Sequence, residues 1–379
     1  MVKEPAKLVA VDLFSGAGGF SLAAILSGFE INFALENDKR AVETFKANIL
    51  TRDGGKETKV FDGSILDYCP VKIAEERFEK NTCDLLLGGP PCQGFSKHRI
   101  LNSGVNDPRN ELIFAYFEFV RALRPRVFLM ENVPGILWER HKTYVDKFYA
   151  EGKKAGYHLF PPVVLDARDF GVPQRRKRVF ILGLREDLDA GSFAWPPNAT
   201  HSDPQKPRPG TEPWVPCSTV FRSPPMDDEN DIHMNHGPEL VEAFRNTPPN
   251  GGSRMDSGRI LDCHKNHGGH KDVYGRINPA DPAPTMTTAC TNPSEGRFVH
   301  PTKHHGISIR EAARIQSFPD DFIFKGGLGP SARQIGNAVP IDLGKALLDH
   351  IKKQLNDRAE VFQHVFPSEE IPEPQFVSV

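Results

Sequence analysis

The sequence predicts an α/β protein, with a first half built as a parallel sheet covered by helices on both faces and a smaller, loop-rich unit attached to it. Three observations lead there. Short apolar runs alternate with amphipathic stretches through residues 1–184. Glycines stand where a strand hands over to a helix. After about residue 185 the periodicity fades into a stretch rich in Pro, Gly, His, Asn and Asp that lasts to about 305.

Residues 8–14 form a run of β type, and 16–28 read as a loop entering a helix. A second strand at 31–36 precedes a helical stretch at 38–50. Further buried strands are expected at 84–87, 127–130 and 179–182, with a helical pattern at 111–123 between the first two. The stretch 185–305 keeps Trp195, Trp214 and several Phe, so it reads as irregular rather than disordered. Periodicity returns at 309–316, and a last amphipathic helix is expected at 341–355. The expected organisation is one domain from 1–184 plus 306–355, a second from 185–305, and a poorly ordered tail at 356–379.

Composition narrows the class. The chain has 379 residues, 39% of them hydrophobic and 25% charged, as in an ordinary globular protein. No apolar run is long enough to cross a bilayer, so no membrane partner is expected. The start MVKEPAKLVAVDLF reads as a strand rather than a signal peptide. Cys69, Cys83, Cys92, Cys217, Cys263 and Cys290 are scattered with no CxxC pair, which suits a reduced intracellular protein. A net charge of −2 argues neither for nor against nucleic acid, though a protein that coats it indiscriminately is usually strongly basic. Basic charge is concentrated locally instead, in KHR at 97–99 leading to Arg109 and in QRRKR at 174–178.

VDLFSGAGGFSLA sets glycines directly between a strand and a helix, where they permit a tight turn and close approach of a ligand to the backbone. The third Gly of a dinucleotide motif is replaced by Ser21, so the loop fits either an adenosine-like ligand or a structural turn. Glu36 ends the second strand. There it could accept hydrogen bonds from both ribose hydroxyls, or serve as a charge near the next helix.

GGPPCQGFS at 88–96 puts Cys92 just past the carboxyl end of a strand, where open α/β sheets place their ligands. Two prolines fix the backbone before the thiol, and the flanking glycines permit a moving loop. ENV at 131–133 follows its strand in the same way, which sets Glu131 at the same edge, as a reactive carboxyl or a turn cap. A thiolate and a carboxyl at neighbouring strand ends suit one reaction. The thiolate adds to C6 of cytosine, making C5 nucleophilic, and the carboxyl hydrogen-bonds ring N3 and the exocyclic amine. In QRRKR, alternation sends Arg176 and Arg178 to one side, towards the base or Glu131, and Arg175 and Lys177 to phosphate or solvent.

With these segments in order, the chain resembles the DNA (cytosine-5) methyltransferase family over roughly residues 8–350. The motifs are FSGAGG (14–19), GGPPCQGFS (88–96), ENV (131–133), QRRKR (174–178), REAARIQSFPD (310–320) and RQIGNAVP (333–340). The resemblance implies a Rossmann-like, S-adenosylmethionine-dependent methyltransferase sheet with a small target-recognition domain inserted before the last two motifs. It also implies a last helix folded back beside the first strand.

By this resemblance Cys92 is the nucleophile, Glu131 engages the flipped base, and Arg176 and Arg178 orient the base and catalytic groups. Phe14, Gly16, Ala17 and Gly18 match the cofactor loop, and Glu36 with Asn37 the ribose end. Pro90 and Leu112 match cofactor-lining positions, Gln334 falls in the final motif, and Asn337 and Ala338 match its methionine end. Relatives usually carry Asp where this chain has Ser64, before the adenine-contacting Ile65; Asp62 is an alternative through a shifted loop. Candidate DNA contacts are Gln93, Ser96, Lys97 and Arg99 after the thiol, Arg175, and Arg254, Arg276 and Arg297 in the small unit.

The expected partner is double-stranded DNA, met by a monomer. S-adenosylmethionine is the expected methyl donor, S-adenosylhomocysteine its product, and no metal is expected. CHKNHGGH at 263–270 matches no standard zinc spacing. The expected setting is the cytoplasm, at the nucleoid, for a prokaryotic protein, or the nucleus for a eukaryotic one. The lack of a long N-terminal regulatory region suggests a prokaryotic restriction–modification or solitary enzyme. Rival readings are a tRNA methyltransferase of the same fold, whose Cys-Phe-Thr segment is missing here, and a non-catalytic DNA-binding homologue, which should have lost Cys92 or Glu131. A dehydrogenase leaves GGPPCQG unexplained.

Overall fold

The computed structural model describes residues 7–78, 83–90, 111–257 and 272–365. The first half alternates strand and helix: β1 (Leu8–Leu13), α1 (Gly19–Leu26), β2 (Phe29–Glu36), α2 (Lys39–Ile49), β3 (Lys59–Asp62), α3 (Pro70–Phe78), β4 (Leu85–Gly88), α4 (Glu111–Leu123) and β5 (Val127–Asn132). Then come α5 (Lys142–Lys154), β6 (Tyr157–Leu159), β7 (Val163–Asp166) and β8 (Lys177–Arg185). The strands form one sheet in the order β3-β2-β1-β4-β5-β8-β6, with β7 also paired to β8. Chain order reverses at β1, which lies between β2 and β4. That is the switch point whose crevice receives ligands in open α/β sheets.

Asp38 caps α2, accepting from the backbone N–H groups of Arg40 and Ala41, so the helix starts where an acid can satisfy its free donors. The central strands are apolar on both faces because helices cover both. Ala10, Leu85, Leu87 and Leu129 face one core with α1, while Val11, Leu86, Phe128 and Met130 face the other with α4 and α5. Phe128 is fully enclosed by the rings of Tyr116, Phe117, Phe148 and Tyr157. Its neighbour across the sheet is Gly183, where any Cβ would stand 2.1 Å from that ring.

The sheet departs from the expected all-parallel form. β8 runs antiparallel to β5, and β6 and β7 antiparallel to β8. Strand alternation encodes which face a residue takes but not the direction of the strand, and the short returns at β6 and β7 carry too few residues to show a period.

The segment 185–305 contains two-residue strands β9 (His201–Ser202) and β10 (Glu212–Pro213), the helix α6 (Pro238–Asn246) and short 3-10 turns among its described residues. After it come α7 (Ile309–Ile315), α8 (Leu328–Asn337) and α9 (Ile341–Val365). α9 lies along α1: Gly344 is small because a Cβ there would stand 2.9 Å from that of Ala23. This helix runs to Val365, beyond the expected end at 355, so the supposed tail begins inside it. Among the described residues, no helix is long and apolar enough to cross a membrane.

Candidate active site

The glycine loop turns because three of its residues adopt positive φ: Phe14 at 59°, Gly16 at 55° and Gly18 at 93°. Gly18 also has no room for a side chain, since a Cβ would sit 2.8 Å from Ile49. A Cβ on Gly16 would meet nothing within 4 Å, so this turn leaves open space beside it. The loop is tied to the end of β2. Ser15 N–H donates to the Leu35 carbonyl (3.1 Å), and Gly16 N–H donates to Glu36 Oε2 (2.8 Å).

Glu36 Oε1 accepts from the N–H groups of Asn37 (2.9 Å) and Asp38 (2.8 Å). Burial pushes this carboxyl up, and those three donors pull it back down. Three of about four lone-pair directions are therefore occupied. The carboxylate keeps room to accept from a ligand hydroxyl.

A cavity of about 470 Å³ opens here. Phe14, Gly16, Ala17, Glu36 and Asn37 line it from the β1 and β2 ends, Pro90 and Leu112 from beyond β4, and Asn337 and Ala338 from the end of α8. Gly18 lies beneath, against α2. Ser64 and Ile65 are not among the lining residues: the Ser64 hydroxyl accepts from Leu66 N–H (3.3 Å) and caps a short 3-10 turn, Ile65–Asp67. Ser64 thus has a capping role in the protein. Ser15, which lines the cavity, has a buried hydroxyl with no partner among the described residues. An acidic strand end, open glycine backbone and a spare hydroxyl suit a nucleoside carrying a charged amino-acid arm, so S-adenosylmethionine fits the residues present.

On the other side of the same cavity stands Glu131. It is the penultimate residue of β5 rather than a residue beyond the strand, and it is 8% exposed. Arg178, near the start of β8, donates from Nε to Glu131 Oε1 over 2.8 Å. Burial pushes the Glu131 carboxyl up, while the positive charges of Arg178 and Arg176 oppose the shift. Asn132 follows, and its Nδ2 donates to the Pro90 carbonyl (3.2 Å), which ties the end of β5 to the segment after β4. Cys92 lies outside the described residues.

Residues 8–353 match the family model for C-5 cytosine-specific DNA methylases. The chain belongs to this family. It is therefore a DNA (cytosine-5-)-methyltransferase by membership. Among its relatives it is 33% identical to the type II methyltransferase M.NgoPII of Neisseria gonorrhoeae, over 93% of this chain and 97% of that one. It is 31% identical to M.FnuDI of Fusobacterium nucleatum, over 94% and 97%. The fold is shared with a solved structure described as a DNA modification methyltransferase encoded within an Escherichia coli prophage (TM-score 0.68, 23% identity, 92% of this chain and 100% of that one). It is also shared with the Entamoeba histolytica methyltransferase EhMeth (TM-score 0.60, 16% identity, 93% and 99%).

In this methylase Arg176 and Arg178 of QRRKR have separate tasks. Arg178 reaches Glu131, as expected. Arg176 acts on the same carboxyl through its charge, while it is fully buried and its guanidinium donates to the carbonyls of Met286 (2.8 Å), Gly336 (2.7 Å) and Ala338 (2.9 Å). Arg175 and Lys177 are exposed, as alternation required.

The expected DNA contacts in the loop-rich segment fare differently. Arg276 is 1% exposed and donates to the carbonyls of Phe244, Thr247, His300 and Lys303. Arg254 is buried too, and Arg297 pairs with Asp272 (3.0 Å) and donates to the Gly251 carbonyl (2.8 Å). A segment with little secondary structure must satisfy its carbonyls by other means, and the guanidiniums of Arg276 and Arg297 do so. Arg276, enclosed among these carbonyls, is a support of the fold rather than the DNA contact expected. Gln93, Ser96, Lys97, Arg99 and the 263–270 cluster lie outside the described residues.

Sequence reasoning passed over Asp12, Asn132 and Arg333 of the cavity wall. Asp12 had a visible signal, an acid inside an otherwise apolar strand. It accepts from Ser21 Oγ (2.6 Å), and burial raises its pKa to about 7.

Proposed function

We propose that this methylase transfers a methyl group to C5 of a cytosine in a specific sequence of double-stranded DNA, through a covalent adduct between Cys92 and C6 of the base. The observation that carries this reading is that Glu36 and the Arg178-held Glu131 line one cavity. Pro90 lines it as well, and only Pro91 stands between Pro90 and Cys92, a span of about 7 Å at full stretch.

C6 of a stacked cytosine is out of reach, so the base must leave the duplex, at a cost of a few kcal/mol offset by contacts in the pocket. The Cys92 thiolate adds to C6, and electron density moves to C5 and N3. Glu131, whose carboxyl is pushed up by burial, can hold a proton for N3 and accept from the exocyclic amine. Arg178 fixes the orientation of that carboxyl. S-adenosylmethionine, when bound, supplies the electrophilic methyl that C5 takes. Water or hydroxide then removes the C5 proton, the C5–C6 double bond re-forms, and Cys92 leaves as thiolate.

We read residues 185–305 as the part that selects the DNA site, and the enzyme as a monomer working where the genome lies, at the nucleoid of a prokaryotic cell. The type II methyltransferases among its relatives support a role beside a restriction endonuclease. Expression in a host lacking cytosine methylation, followed by bisulfite sequencing, tests the reading. New 5-methylcytosine in one sequence context is expected; its absence, with soluble protein present, overturns it.

A further inference from the structure

A buried polar network, unused by the chemistry above, joins the end of the recognition segment to the wall of the cofactor cavity. Gln174, Arg176 and Gln316 are each fully enclosed. The Gln174 amide donates to the Ile315 carbonyl (3.2 Å) and to Gln316 Oε1 (2.8 Å), and its oxygen accepts from Met286 N–H (2.8 Å). Gln316 Nε2 donates in turn to the carbonyls of Ile335 (2.6 Å) and Ala338 (3.3 Å).

The carbonyls served lie at the C-terminal end of α8, where a helix runs short of donors of its own; Ile335 also accepts from the Ala338 N–H (3.2 Å). The guanidinium of Arg176 meets the same end, where positive charge complements the helix dipole. The fit is tight: a Cβ on Gly336 would stand 2.3 Å from the Thr287 carbonyl. Immediately beyond, Asn337 and Ala338 face the cavity, and the Val339 carbonyl lies 3.1 Å from where a Cβ on Gly19 would be. The chain that walls the cavity therefore takes its position from side chains that do not line it.

We propose that Gln316 is a positioning residue for the methyl donor, fixing the 335–338 wall without touching the ligand. This rests on reading the cavity as the cofactor site. Methionine in its place keeps the volume but removes both donors and the acceptor, so the Ile335 carbonyl keeps the Ala338 N–H and the Gln174 amide keeps the Ile315 carbonyl, each with one hydrogen bond fewer. Glutamate keeps the shape and has an O–H donor only while protonated.

The test is calorimetric titration of the full chain with S-adenosylhomocysteine in the absence of DNA, alongside thermal unfolding of the ligand-free protein. Gln316→Met is expected to weaken binding about tenfold or more, as loss of such hydrogen bonds does, while the protein stays folded at the titration temperature. In Gln316→Glu, affinity should improve as pH falls, more steeply than in the wild type. Wild-type affinity in both variants overturns the proposal. So does weaker binding that tracks a loss of folded protein while the Gln316→Glu pH profile parallels the wild type's. A wild type that binds no S-adenosylhomocysteine overturns the cofactor reading, and this inference with it.

Discussion

Arg178 and Glu131 form a nearly dry ion pair, Nε to Oε1 at 2.8 Å, with side chains 12% and 10% exposed. The pair bridges neighbouring antiparallel strands, since Val179 of β8 lies opposite Asn132 of β5. The antiparallel turn of the sheet is thus what brings a guanidinium to the carboxyl.

Arg178→Ala should therefore act on the chemistry more than on the cofactor. The expected fall in kcat is about 100-fold or more, the scale of losing one aligned acid–base or electrostatic partner, with S-adenosylhomocysteine affinity changed less than about threefold. Steady-state kinetics with a cognate duplex, paired with calorimetry, would check this. An affinity loss as large as the kcat loss would contradict it.

Glu36→Gln and Ser64→Ala separate two residues that sequence reasoning grouped together. Glu36 sits on the cavity and Ser64 caps a turn outside it. Replacing the carboxylate should weaken cofactor binding about 10- to 100-fold, the scale of one hydrogen bond to a charged group. Ser64→Ala should leave affinity unchanged and cost about 1 kcal/mol of stability through the lost cap. Calorimetry and urea unfolding distinguish the outcomes.

These contrasts show what the sequence carries and what it hides. Strand-end chemistry was legible: Gly16, Glu36, Pro90 and Glu131 sit at switch-point edges because glycines, prolines and acids interrupt apolar runs there. The capping role of Ser64 was not, since a Ser before Ile-Leu-Asp fits a ligand contact and a capping box equally. The roles of Arg176 and Arg276 were hidden for another reason. Alternation turned Arg176 towards the base or Glu131, Arg276 read as a DNA contact, and only the packed chain reveals that both serve buried carbonyls.

Arg175 and Arg276 should accordingly fail in different ways. Arg175 is exposed beside the cavity-bearing strand, and Arg175→Ala should weaken DNA binding while reducing the slope of log affinity against log salt by about 1. Arg276→Ala strands four carbonyls in a buried site and should cost several kcal/mol of stability, on the scale of a broken buried network. Salt-dependent binding of an oligonucleotide and denaturant midpoints read the two effects. Normal stability in Arg276→Ala would overturn its assignment to the fold.

Asp12 makes stability depend on pH. Burial raises its carboxyl from 3.8 to about 7, so the folded protein binds more protons than the unfolded chain between those values. The stability this lends is complete below the unfolded value and disappears as pH rises through about 7. Asp12→Asn should remove that slope, a few kcal/mol at most. Urea unfolding at about pH 5 and about pH 8 should then show a smaller decline in the variant than in the wild type; parallel declines would contradict it.

The central claim is the covalent bond between Cys92 and the target base. A duplex carrying 5-fluorocytosine at the methylated position tests it, because fluorine at C5 cannot leave as a proton does and the adduct cannot resolve. Incubated with S-adenosylmethionine and resolved under denaturing conditions, the wild type should give a protein–DNA complex that survives, and Cys92→Ser should give none. Equal trapping by both proteins, or by neither when the wild type methylates the unmodified duplex, would contradict the account.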